Sequence, residues 1–359
     1  MNTQVKVIAW TDKDELTVKD YFSKAIQEIQ RIEKLYTRFQ KDSYLSSFNN
    51  RKFTVVTKEF FQIALFLFFF ASKSEDYFDP TIIDFLEAYG YGPGYHFEKL
   101  NNEIELKKSI EKLKASRPSI KDTKFKVIQN GIEKFKFSID EFQGQVKNDL
   151  KNLLDYEFKS LIDFVDKVSN DEVQKKIEAD QFSTKTFRKK LLGPNDQHNL
   201  QFEIILAQDQ RIEFGGCGKG YAIDRMYHIL EPLENFVIDI GGDIRCCGQI
   251  EERNWTTSIY GTSDAIAMLS GDVVCVSGKA ARQVGNFHHL LNPKDANPTG
   301  SFDQILVYAS YKDTCNLSLL TTFADAYSTL SYVSPIEKNM FYEVENKGVY
   351  KKYINTYLN

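Results

Sequence analysis

The chain has 359 residues, 42% of them hydrophobic and 14% aromatic, and a formal net charge of −4. That length and apolar content indicate a large folded core, in two lobes or in one domain with an insertion, rather than a disordered chain. A small negative charge lacks the basic footprint of a nucleic-acid binder, so no nucleic-acid partner is expected.

Met1-Asn2-Thr3 leads straight into a strand-like Val5-Lys6-Val7-Ile8-Ala9-Trp10, without the charged region, apolar run and cleavage site of a secretory leader. Cysteines at 217, 246, 247, 275 and 315 are odd in number and lack metal-pair spacing. They read as the reduced thiols of a cytoplasmic protein.

Residues 16–39 predict a helix, with Tyr21, Ile26, Ile29, Ile32 and Leu35 forming an apolar stripe. The polar segment 37–49, punctuated by aromatics, reads as a surface loop. Residues 60–71 are apolar except for Gln62. The run falls short of the roughly 20 residues that span a bilayer and is bracketed by Lys58, Glu59, Lys73 and Glu75, so it predicts a buried core helix and no transmembrane segment. In Tyr77-Phe78-Asp79-Pro80-Thr81, Pro80 forces an extended or turning backbone just after a carboxylate. Ala88-Tyr89-Gly90-Tyr91-Gly92-Pro93-Gly94 then closes the first section as a loop.

From about 99 to 195 the composition shifts to Lys, Asp, Glu and Gln with modest apolar periodicity, which predicts solvated, mainly helical decoration ended by a turn at Gly193-Pro194-Asn195-Asp196. The chain thus divides into an N-terminal part at 1–98, a polar insertion at 99–195 and a C-terminal part at 196–359. Strands are predicted at 202–205, 236–240, 256–260, 273–276 and 304–309. Their turns argue for an α+β fold with mixed or antiparallel sheets and packed helices, not a doubly wound parallel sheet.

Glu213-Phe214-Gly215-Gly216-Cys217-Gly218-Lys219-Gly220-Tyr221-Ala222-Ile223-Asp224 joins a glycine-rich turn to an amphipathic helix. Tyr221, Ala222, Arg225, Met226, Ile229 and Leu230 recur at helical spacing. Lys219 or Gly220 therefore sits at a helix N-terminus, whose unpaired N–H groups favour an anion such as phosphate. Glu213 and Gly220 stand where a Walker loop needs Gly and Ser or Thr, and Tyr221 where a dinucleotide fingerprint needs its last Gly, so neither motif is present. A glycine-rich turn without ligand is the alternative.

Asp239-Ile240-Gly241-Gly242-Asp243-Ile244-Arg245 is explained by a tight hairpin. His288 and His289 are adjacent on a strand and face opposite sides, so at most one belongs to a given site. In the predicted helix 322–330, Asp325 and Thr329 share a face, which pairs two hard oxygen ligands of the kind magnesium takes together with water and phosphate. Thr329 bonding the backbone one turn back is the alternative.

Taken in order, these segments resemble the FAD:protein FMN transferases, the ApbE-type flavin transferases, over roughly residues 1–95 and 200–335. Residues 37–49 look like the family's serine-threonine-aromatic segment, and Phe78-Asp79-Pro80-Thr81 matches its Phe-Asp-Pro-Thr element. Residues 213–224 are similar to Asp-Leu-Gly-Gly-Ile-Ala-Lys-Gly-Tyr-Ala-Val-Asp. Ile240-Gly241-Gly242-Asp243, Ser277-Gly278, His289 to Pro293 and Ala324 to Thr329 match further family elements.

The resemblance implies an ApbE-like fold with a helical insertion, FAD as substrate, and one Mg2+ held by the Gly216 carbonyl, the Asp325 carboxylate, the Ser328 carbonyl and the Thr329 hydroxyl. Phe39, Tyr77, Phe78, Asp79, Glu213, Lys219 and Leu291 would line the FAD site. The implied reaction is attack by a Thr or Ser hydroxyl of an acceptor flavoprotein on the FMN-side phosphorus, with release of AMP. His289 is the candidate to accept the proton, as an imidazole that titrates in the right range, and Asp243 is the alternative. Glu213 stands where the family has Asp, Gly218 where it has Ala, Asn292 where it has Asp and Ala296 where it has a turn glycine. Hydrolysis of FAD to FMN and AMP, or flavin binding without catalysis, are the competing functions.

Overall fold

A computed structural model describes residues 3–169, 199–259, 263–279, 282–285, 287–299, 302–314, 316–334 and 349–354. The first half comprises β1 (Val5–Ala9), α1 (Glu15–Tyr36), α2 (Tyr44–Asn49), β2 (Val55–Val56), α3 (Lys58–Ser72), α4 (Ile83–Ala88), α5 (Glu103–Ser116), β3 (Lys124–Gln129), β4 (Ile132–Phe137), α6 (Gly144–Lys151) and α7 (Tyr156–Ser169). The second comprises β5 (Leu200–Ile205), α8 (Gly218–Leu230), β6 (Phe236–Ile240), β7 (Asp243–Cys247), β8 (Trp255–Ser258), β9 (Ala265–Met268), β10 (Val273–Gly278), β11 (Gln283–Val284), β12 (Phe287–His288), β13 (Gln304–Ala309), α9 (Leu320–Val333) and β14 (Val349–Ile354).

A six-stranded sheet runs β1-β6-β7-β10-β13-β14 and a four-stranded one β2-β5-β3-β4. Every pairing within both is antiparallel, one of the two arrangements expected, mixed or antiparallel. The β6–β7 turn is a two-residue loop between Ile240 and Asp243, with Gly241 at φ 63° and Gly242 at φ 96°, a left-handed pair that glycine adopts without Cβ strain.

Helix α3 joins the two halves. Thr57 caps it by accepting the Phe60 N–H at 3.2 Å, and every residue from 60 to 71 is buried. Phe61 packs on Phe125 and Phe202 of the smaller sheet, while Phe70 packs on Phe78 and on Phe323 of α9. A core helix apolar on every face is the outcome expected of that run, and among the described residues no helix is long and apolar enough to cross a membrane.

Two expectations are corrected. Residues 44–49 form α2, not surface loop: Ser43 caps it by accepting the Ser46 N–H at 3.0 Å, and Leu45 and Phe48 are buried. Over its described part, 99–169, the segment expected to be solvated decoration is not so. Besides its helices it supplies the β3–β4 hairpin to the smaller sheet, and Phe125, Val127, Phe137, Leu150, Leu161 and Val165 enter the same core cluster as α3. Its polar composition comes from outward faces: in Lys124-Phe125-Lys126-Val127 the lysines alternate with fully buried apolar residues. The predicted turn at 193–196, with the rest of 170–198, lies outside the described residues.

Candidate active site

Helices α8 and α9 lie antiparallel and cap each other. Gly220, in the first turn of α8, donates its N–H to Asp325 Oδ2 at 2.9 Å. Asp224, one turn further along α8, accepts the N–H groups of Thr321 at 3.1 Å and Thr322 at 2.7 Å, the opening residues of α9. Each helix thus satisfies orphan donors of the other with a carboxylate, which also complements the positive end of the helix dipole. The approach is so close that a Cβ on Gly220 would lie 2.3 Å from the Thr321 carbonyl oxygen. Asp224 is itself held by Arg245, fully buried and stacked 4.0 Å from the Tyr227 ring.

Lys219 lies in that first turn of α8, as the spacing predicts. Its ammonium is ion-paired with Asp243 and lies 3.2 Å from Asp325 Oδ1. Asp243 is fully buried and its other oxygen accepts the Val276 N–H at 2.8 Å, so both its oxygens are engaged in holding the sheet and the lysine.

Lys219 and Asp325 open onto a cavity of about 680 Å³ that Phe39, Tyr77, Phe78, Asp79, Glu213, Gly216, His289, Leu291 and Thr329 also line. Residues scattered over the whole sequence are thus brought together, at the size of an ordinary small-molecule site. Of the predicted residues Ser328 and Asp243, the alternative base, are not on the wall, and Ser328 is the one of them predicted as a ligand. It is fully buried behind it, and its hydroxyl donates to the Asp325 carbonyl at 2.9 Å and lies 2.8 Å from Ser277 Oγ.

The donor set suits a hard divalent cation. Asp325 offers a buried carboxylate, Thr329 a hydroxyl, and Gly216 a backbone against which a Cβ would meet the Phe78 ring at 2.8 Å. Among the described residues no group of three or more His, Cys, Asp or Glu is arranged to hold a metal ion. A cation here would therefore be held by one carboxylate and neutral oxygens, leaving positions for water or phosphate. Cys217 is buried in the same turn, and burial pushes its thiol well above the ordinary range.

Behind Glu213 the Arg38 guanidinium donates to Glu213 Oε2 at 2.8 Å and to the Tyr91 carbonyl at 2.9 Å, stacked 4.4 Å from the Phe39 ring. Arg282 donates to the Tyr91 hydroxyl. His289 lies 5.7 Å from the Tyr91 ring, and its Nδ1 is buried without a hydrogen-bond partner. Burial, reinforced by Arg282, His288, Lys219 and Arg38, pushes His289 down to about 3. The expectation that His289 titrates near neutrality is therefore corrected, since desolvation among cations disfavours the imidazolium. His288 packs against Tyr332 and is not on the cavity wall, but the expectation that both histidines share a strand is corrected: β12 ends at His288 and His289 lies in the bend that follows.

Arg38, Tyr91, Arg117 and Arg282 were not singled out from the sequence. Tyr91 sits in the glycine-rich loop 88–94, where an aromatic among glycines was a usable signal. The three arginines carry no local mark.

The ApbE family model matches residues 1–147 and 144–350. No curated relative matches the sequence. Among solved structures, the chain is similar to the ApbE protein of Thermotoga maritima at 18% identity and TM-score 0.64, covering 97% of this chain and 90% of that one. It is also similar to the Pseudomonas stutzeri flavinyl transferase ApbE in its apo form, at 15% identity and TM-score 0.57 over 97% and 92%. The flavin transferase ApbE from Vibrio cholerae aligns at 15% identity and TM-score 0.53 over 99% and 95%.

Proposed function

The chain belongs to the ApbE family, and from that premise we propose that it transfers FMN from FAD to a threonine or serine hydroxyl of an acceptor flavoprotein, in a magnesium-dependent reaction that releases AMP. The observation that carries this reading is the single cavity in which Lys219, Asp325 and Thr329 meet Phe39, Tyr77, Phe78 and Leu291. Two of the similar structures are named as flavin transferases, which supports it.

In this reading the FAD pyrophosphate lies against Lys219, the N-terminus of α8 and the Gly215-Gly216 turn, where an ammonium and the positive end of the helix dipole favour phosphate, although the Gly218 and Gly220 N–H groups expected to meet it are taken by the Phe214 carbonyl and by Asp325. The aromatic and leucine side chains take the ring systems. A magnesium ion, held by Asp325, Thr329 and the Gly216 and Ser328 carbonyls, would neutralise charge on the phosphate oxygens. Lys219 stabilises the charge that develops as the acceptor oxygen bonds the FMN-side phosphorus and the bond from that phosphorus to the AMP oxygen breaks. His289, neutral in this setting, takes the hydroxyl proton on its imidazole, and the negative phosphates beside it raise its basicity above that of the free protein. Asp243 is committed to Lys219 and the Val276 N–H, which disfavours it as the base.

The test is incubation with FAD, magnesium and a threonine-bearing acceptor. Equal amounts of flavinylated acceptor and AMP are expected. Free FMN with AMP and an unlabelled acceptor would identify a hydrolase, and no turnover at all would leave flavin binding without catalysis.

A further inference from the structure

Asp79 lines the cavity, and an arginine from the segment at first read as decoration holds it. Arg117 is the residue that ends α5: Pro118 follows, forces an extended backbone on it (φ −69°, ψ 126°) and so aims its side chain off the end of the helix. The guanidinium Nη2 donates both to Asp79 Oδ2 and, at 2.8 Å, to Thr81 Oγ1. The Thr81 hydroxyl in turn donates to Asp79 Oδ1 at 2.7 Å, and the Thr81 N–H does so at 2.6 Å. A closed ring of charge-assisted hydrogen bonds therefore fixes both carboxylate oxygens across Pro80, which has no N–H of its own to give.

The place of Arg117 is itself tied to the cavity wall. Leu106, Ile110 and Leu113, one stripe of α5, pack into a cluster with Phe85, Leu86 and Tyr89 that also contains the cavity residues Phe39, Tyr91 and Leu291. The guanidinium stacks 5.0 Å from the Phe85 ring of the same cluster. Its side chain is 18% exposed and that of Asp79 13%, so little solvent screens the pair.

We propose that Arg117 is a positioning residue for the cavity, acting through Asp79: it sets the orientation of the carboxylate that meets the bound dinucleotide. This rests on the reading that the cavity binds FAD. It makes α5 part of the site, although α5 supplies no atom to the reaction.

The test is a set of single and double variants read by FAD affinity in the presence of magnesium, by the split of KM and kcat, and by melting temperature without ligand. Arg117→Ala is expected to weaken FAD binding by roughly tenfold or more, the size of one lost charge-assisted hydrogen bond, through KM rather than kcat. Arg117→Lys, which keeps the charge but not the fork, should recover part of the loss. The deciding comparison is Asp79→Asn alone against Asp79→Asn with Arg117→Ala. If Arg117 acts through Asp79 the second change adds less than about twofold, whereas independent effects multiply. Should Arg117→Ala not fold, the same comparison is made with Arg117→Lys. Affinity of a folded Arg117→Ala variant within about twofold of the parent, or multiplying effects in the double variant, whether made with Arg117→Ala or Arg117→Lys, overturns the inference. A parent protein that does not bind FAD overturns the proposed function, and this inference with it.

Discussion

The Gly220 N–H and the Asp325 carboxylate, 105 residues apart in sequence, are joined by a 2.9 Å hydrogen bond that fastens the start of α8 to the second turn of α9. Asp325 therefore has a structural task as well as a place on the cavity wall, and the two can be separated. Asp325→Asn keeps an oxygen for the Gly220 N–H and removes the charge. It is expected to abolish the magnesium dependence of FAD binding, measured by titration calorimetry with and without the ion, while costing only about 1 kcal/mol of stability. Asp325→Ala also strands the buried N–H and should cost about 1–3 kcal/mol. An Asn variant that binds FAD and magnesium like the parent would remove Asp325 from the metal site.

Gly220→Ala gives a prediction whose sign is diagnostic. Helix propensity alone would make alanine more stable by about 1 kcal/mol. The new Cβ, however, would lie 2.3 Å from the Thr321 carbonyl oxygen and 2.9 Å from Asp325 Cβ, both on the facing helix. A net loss of roughly 2–3 kcal/mol is expected from thermal or denaturant unfolding. A stabilised variant would mean that α8 and α9 do not cross this closely.

Lys219 neutralises Asp243 and Asp325, so its loss is felt before any ligand arrives. Lys219→Met keeps most of the stem and leaves Asp243 buried without its cation. The expected loss of stability without ligand is about 1–3 kcal/mol, below that for a fully buried pair because the lysine is 24% exposed. FAD affinity or transfer rate should fall at least about tenfold in addition. Lys219→Arg, which retains charge, separates the two effects. Unchanged FAD affinity in both variants would take Lys219 away from the phosphates.

The depressed His289 predicts how stability follows pH. Its folded value of about 3 lies below the ordinary 6.5, so between those limits the unfolded chain binds a proton that the folded one refuses. The contribution is fully present above about pH 6.5 and is lost as pH falls towards 3, by up to about 1.4 kcal/mol per pH unit and less for a ring that is only partly enclosed. His289→Asn should lose less stability than the parent between about pH 7 and about pH 4.5 in denaturant unfolding. The kcat/KM of the parent should also lack an acid inflection near about 6.5 from this residue, because that profile reports the free enzyme. Parallel stability curves for parent and variant would mean that His289 titrates normally.

Local features were legible from the residues alone. Helical spacing placed Lys219 in the first turn of α8 and put Asp325 and Thr329 on one face of α9, two glycines announced the β6–β7 turn, and an unbroken apolar run announced α3. Each follows from the period of an element or the φ range of a residue, which neighbouring positions dictate.

What the sequence left open are the partners of its charges. Arg38 meets Glu213 across 175 residues, Arg117 meets Asp79 across 38, and Lys219 lies between Asp243 and Asp325 at 24 and 106. An arginine that will fork onto a buried carboxylate has the same neighbours and the same periodicity as one that will stay in water. The choice depends on the desolvation that tertiary packing imposes, a long-range quantity with no local signature. For the same reason the segment from 99 onward read as solvated surface: its composition averages over Lys124 and Lys126, which face out, and Phe125 and Val127, whose burial only pairing with β5 decides.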